Sequence, residues 1–121
     1  MNSELRELQQ IAGEAALHWN LLQAEEALGL DPSGTYKHSF EDLLARAEQV
    51  HGGGANKVAE RLRALLLSLV MYSDARSGSA TARRLRTMIR ETMSLEHRRF
   101  VNLMRKLDPD WRPVQMTGLL E

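Results

Sequence analysis

A chain of 121 residues that is 43% hydrophobic and 26% charged is long enough to bury one core and too ordinary in composition for wholesale disorder. The lack of any cysteine excludes a disulfide framework, a thiolate metal site and a cysteine nucleophile together. Net charge is zero, yet residues 1–50 carry nine acids against three bases while residues 76–112 carry ten bases against four acids, giving an acidic front and a basic back.

The first ten residues are polar and acidic, so no export signal is read there. The densest apolar run, Ala64 to Tyr72, is nine residues long, far short of the ~20 that a membrane-spanning helix needs. The expectation is a cytoplasmic protein without membrane contact.

Glycine, proline and serine punctuate the chain at Gly29–Gly34, Gly52–Gly54, Ser77–Ser79 and from Asp108 onward. The four segments between them are apolar at helical spacing, and none alternates with period two. The fold class expected is all-α: a single compact bundle of four or five helices over residues 1–107. An irregular C-terminal tail, 108–121, follows and packs on the bundle or on a partner.

The first helix is expected from Ser3 to Leu28, with Ser3 as N-cap and Glu4 and Glu7 in the favourable first turn. Leu5, Leu8, Ala12, Ala15, Trp19 and Leu22 share one face. A second stripe, Leu17, Leu21, Ala24 and Leu28, lies nearly opposite and asks for a second cover, from the domain or from a partner. Asp31-Pro32-Ser33-Gly34 reads as a turn. Ser39, with Asp42 three residues on, resembles a capping box opening a second helix. That helix buries Phe40, Leu43, Leu44, Ala47 and Val50 and ends at Gly52. The third, Asn56 to Ser73, is apolar on most of its circumference and is expected at the centre.

The fourth segment, Thr81 to Leu107, presents Leu85, Ile89, Met93, Phe100, Leu103 and Leu107. Unbroken, it is about 40 Å long at ~1.5 Å per residue. Ser94 followed by Glu96 resembles a second N-cap, and Glu96 would otherwise interrupt the apolar stripe, so a break near Ser94 is as well supported as continuity. Pro109 and Pro113 stop the helix, and Trp111 anchors the tail.

Arg83, Arg90 and His97 fall seven apart on this segment, with Arg86 beside them and Arg98 and Arg105 on the adjoining side. Guanidinium groups in a row suit a nucleic-acid backbone, because each forks onto phosphate oxygens. The plainer reading has these arginines solvated or paired with the acidic first helix. Aromatic groups for stacking on bases are scarce there, with only Phe100, which the helix face buries. A helix-turn-helix over Leu44 to Leu62 is opposed by three consecutive glycines and by Arg61 where an apolar residue belongs.

The pairs Arg90–His97 and Arg46–His51 resemble the catalytic arginine–histidine pair of helical ribonuclease domains of the HEPN type. Glu91, however, follows Arg90 where that family tends to carry a neutral polar residue. His18, His38, His51 and His97 lie on separate segments, and Glu14 with His18 gives two ligands but not a metal site. Gly52-Gly53-Gly54 lacks the Lys-Ser/Thr of a phosphate loop, and no nucleophile elbow occurs. The chain is therefore read as non-enzymatic, with no metal and no cofactor. Met88, Met93, Met104 and Met116 serve as core fillers or as an adaptable surface.

The expected function is a small non-catalytic accessory subunit within a larger assembly. It would contact a nucleic-acid backbone through Arg83, Arg86, Arg90, His97, Arg98 and Arg105. The alternative is a protein-interaction module, an adaptor, chaperone or inhibitor, using Leu17, Leu21, Leu28 and Trp111 and open to self-association.

Overall fold

Helical periodicity becomes four helices in the computed structural model, which describes residues 2–30, 33–75 and 79–119. They are α1 (Ser3–Ala27), α2 (Ser33–Glu48), α3 (Asn56–Asp74) and α4 (Ala80–Leu107), and no strand occurs among the described residues. Ion pairs fix the directions of neighbours. Arg46 near the end of α2 meets Glu7 and Glu14 near the start of α1, Lys37 meets Asp74, and Arg61 meets Glu96. Successive helices are thus antiparallel, as their short connections require. Helix α3 packs against each of the other three, the central place that its apolar circumference leads one to expect.

Helix α1 starts one residue differently from expectation: the cap is Asn2, not Ser3. Asn2 Oδ1 accepts from the Leu5 amide at 2.8 Å while its Nδ2 donates to the Gly53 carbonyl at 2.7 Å. A carboxamide can do both at once, whereas the serine hydroxyl is too short to bridge to another loop. Leu5, Leu8, Ile11, Ala15, Ala16, Trp19 and Leu22 form its buried face.

Helix α2 begins at Ser33, six residues ahead of the expected cap at Ser39, which lies inside the helix. Gly34, assigned to a turn, is helical as well; Asp31 and Pro32 lie outside the described residues. Tertiary contacts explain the extension. Tyr36 packs on the core with its ring centroid 6.1 Å from that of His18, and Lys37 Nζ lies 2.9 Å from Asp74 Oδ1. Together they offset the ~1 kcal/mol that glycine costs in a helix. The helix ends at Glu48, before the expected stop at Gly52. Gly52, Gly53 and Gly54 all have φ between 61° and 79°, a run of left-handed backbone that other residues resist. At Gly53 a Cβ would also come within 2.9 Å of Glu4 Oε2.

Helix α4 is unbroken across Ser94 and is N-capped by Ser79, whose Oγ accepts from the Ala82 amide at 3.0 Å. Of the two readings continuity holds, because Glu96 is neutralised from the side. Arg99 Nη1 lies 3.2 Å from its Oε1 and Arg61 Nη1 3.8 Å from its Oε2. The buried face is also turned from the expected stripe, to Ile89, Met93, His97, Phe100, Val101 and Met104. Leu85 and Leu107 are about half exposed. The break expected at Ser77–Ser79 falls mostly on residues 76–78, outside those described.

The tail closes the seam between α1 and α4, whose backbones barely approach one another. Gln9 Nε2 donates to Asp108 Oδ2 at 2.8 Å and Trp19 Nε1 to the Thr117 carbonyl at 2.9 Å. Asn20 Nδ2 donates to the Gln115 carbonyl at 2.8 Å, and its Oδ1 accepts from both the amide and the hydroxyl of Thr117. Met116 and Leu119 are buried. No helix among the described residues is long and apolar enough to cross a membrane.

Candidate functional site

Helix α4 carries all of the expected cationic residues, but its twist separates them. A seven-residue repeat drifts ~20° per heptad around a straight α-helix. Along Arg83, Arg90 and His97 that drift runs from exposed through half-buried to buried, so the expected stripe does not stay in solvent. His97 is 8% exposed and lies beneath the tail, lining a space with Trp111 and Pro113. It also borders the groove that Arg98, Asn102 and Arg105 line.

Arg86 and Arg90 are held inside the fold. The Arg86 side chain is 12% exposed, with Nη1 3.4 Å from Glu26 Oε2. Its Nε donates to the Ala75 carbonyl at 2.6 Å, and its guanidinium stacks 4.6 Å from the Tyr72 ring centroid. Arg90 Nη2 donates to Gln23 Oε1 and, at 3.1 Å, to the Tyr72 hydroxyl. It lies 5.5 Å from the Trp19 ring and 5.4 Å from that of Tyr72. Tyr72 in turn donates to Glu26 Oε2 at 3.0 Å. This clasp joins α1, α3 and α4, and the planar fork and stacking surface of arginine suit it. Arg86 is paired with Glu26 of the acidic first helix, while Arg90, half-buried and bonded to Gln23 and Tyr72, still borders the depression along α4.

What stays in solvent is a smaller set: Arg83, Arg84, Arg98, Arg99, Arg105 and Lys106. Arg99 pairs with Glu96. Among the described residues no carboxylate lies within ion-pair distance of Arg83, Arg84, Arg98 or Arg105. Arg98 and Arg105 stand two turns apart, about 10 Å along the axis, with Asn102 between them. These three, with His97, Val101 and Pro113 of the tail, line an open groove of ≈ 130 Å³. A wider depression of ≈ 380 Å³ adjoins it along α4, sharing Arg98 and lined also by Thr87, Arg90, Glu91, Ser94, Leu95 and Gly118. Two cations with a carboxamide between them can accept a run of anionic groups. The space beneath the tail beside His97 is only ≈ 40 Å³, room for a water or two.

The expected partner face divides as well. Leu17, Leu21 and Leu28 are 56%, 47% and 77% exposed, and Leu30 continues them. Trp111, in contrast, is half-buried with its ring 5.7 Å from Phe100, so its indole is taken by the chain's own core. A second apolar face was missed by sequence reasoning: Leu67 and Met71 of α3 with Leu85 and Met88 of α4. Met71, Leu85 and Met88 line a groove of ≈ 180 Å³ together with Ser68, Ile89 and Thr92. The surplus of apolar residues around α3 was its signal, since a bundle covers only part of a helix.

The remaining titratable clusters are tied up locally. Arg46 forks between Glu14 Oε2 at 2.8 Å and Glu7 Oε1 at 3.1 Å, and the Glu14 hydrogen bond leads in holding its guanidinium above the ordinary range. His51 is exposed on the glycine turn. No group of three or more histidines and acids among the described residues is placed to hold a metal ion. Comparison with protein-family models, with curated proteins and with solved structures finds no match to this chain.

Proposed function

We propose that this chain is a non-catalytic binding subunit of a larger assembly that holds a nucleic-acid backbone along the outer edge of α4 beside the tail. The observation that carries this reading is the absence of any carboxylate partner for Arg83, Arg84, Arg98 and Arg105 among the described residues. Unneutralised guanidinium groups on one exposed helix attract phosphates, and Asn102 supplies a hydrogen bond to a phosphate or sugar oxygen. The set is non-sequence-specific, because nothing in it is arranged to read base edges. Four phosphate contacts give a slope of log affinity on log salt of about −3 for a single strand.

Fluorescence anisotropy of a labelled oligonucleotide across a salt series tests this. The double variant Arg98→Glu, Arg105→Glu is expected to lower affinity by at least ~30-fold and to flatten the salt slope by about 1.4. Circular dichroism should be unchanged, since both side chains are exposed. A folded double variant that binds as the wild type does would overturn the proposal.

A second reading, a protein-interaction module acting as adaptor, chaperone or inhibitor, is favoured by one separate observation. Leu17, Leu21 and Leu28 stand in solvent on the side of α1 away from the core, and a contiguous apolar stripe of that kind marks a contact surface.

A further inference from the structure

We propose that copies of this chain associate head to tail, the outer leucine stripe of α1 on one copy seating in the α3–α4 groove of the next. This goes beyond the polyanion reading and does not rest on it. Two apolar faces are left uncovered. One is the ridge Leu17, Leu21 and Leu28, spaced by four and seven residues on a single helix. The other is a trough between two helices, walled by Ser68 and Met71 on one side and by Leu85 and Met88 on the other. A ridge on one helix fits a trough between two, and methionine side chains adapt to what enters.

Charge selects the pairing. Helix α1 carries five acids against one base, whereas α3 and α4 together carry eleven bases against four acids. Beside the trough, the exposed Arg84 has no ion-pair partner among the described residues. Ridge against ridge sets acid against acid and trough against trough sets base against base, both disfavoured; ridge in trough joins opposite signs. The ridge faces away from the core on α1, and the trough opens on the outer side of α3 and α4. The contact is heterologous, and its product is an open chain or a ring.

Analytical ultracentrifugation of the whole chain provides the test. The weight-average mass is expected to rise with concentration at low salt and to return toward that of a single chain as salt is raised. Leu21→Lys spoils the ridge and Met88→Glu spoils the trough; both positions are exposed, so thermal unfolding should be unchanged in each. Each variant alone should remain monomeric. Mixed in equal amounts they should form a one-to-one pair of doubled mass, because each retains the half that the other lacks. A Met88→Glu variant that still self-associates while Leu21→Lys does not would mean ridge-to-ridge contact and overturn the proposal. Wild-type chain that stays monomeric at low salt and high concentration overturns it too, and leaves both faces to a different protein.

Discussion

Tyr36 shows how one side chain can redirect an element. It sits two residues after the helical Gly34, against His18 and the core, and it pulls α2 back past the residue that resembles its cap. Burial first, and the neighbouring Glu25 carboxylate second, raise its phenol above the ordinary 10.0. The unfolded chain loses that proton at the ordinary value and the folded chain only at higher pH. The associated stabilisation is therefore complete below pH 10 and is lost as pH rises through the folded value. The melting temperature of the wild type should fall more steeply above about pH 10 than that of Tyr36→Phe, which has no proton to lose. Parallel alkaline limbs in the two proteins would refute this. At the same scale, the arginines of α4 were legible as a group, but their fates were not. Arg86 and Arg90 are decided by Glu26, Gln23 and Tyr72, which lie on other helices and share no local pattern with them.

At the scale of elements, helix number and the middle of each helix were readable from apolar spacing, while the ends and breaks depended on distant partners. Ser94 carries a local cap signal, yet Arg61 and Arg99 neutralise Glu96 and the helix runs on. The buried face of α4 slid toward His97, Val101 and Met104 because two adjoining rows are both apolar enough to serve. The tail was readable only as irregular. Its path follows from Asn20, which makes three hydrogen bonds to it, and nothing near Asn20 in sequence signals that. Replacing Asn20 with alanine should cost about 0.5–1.5 kcal/mol, since its hydrogen bonds to the tail are exposed and water takes its place. Amide exchange at Thr117 should accelerate, and the urea midpoint should drop. Unchanged exchange would show that the apolar anchors Met116 and Leu119 hold the tail unaided.

Across the whole molecule, a net charge of zero conceals a lengthwise polarity. The acidic first half and the basic second half survive folding only in part, since Glu26–Arg86 spends charge on cohesion. The leucine ridge of α1 lies apart from the arginines of α4, although Arg84 borders the trough, so a substitution in the ridge leaves the proposed oligonucleotide contact in place. Leu21→Lys should keep oligonucleotide affinity within about two-fold of the wild type, as substitutions at well-separated sites act additively. Anisotropy titrations of the variant would decide it. A large loss would mean that oligonucleotide binding requires the assembled chain of copies, and that the two surfaces act as one.

The seam-filling tail also gives the molecule an optical reporter. Trp19 is fully buried, 4.9 Å from Tyr72, and its indole N–H is hydrogen-bonded to the tail carbonyl of Thr117. Indole emission follows the polarity around that N–H, so lifting the tail would admit water and move the emission to longer wavelength. Anything that settles between α4 and the tail, or prises them apart, thus announces itself in the intrinsic fluorescence with no dye attached.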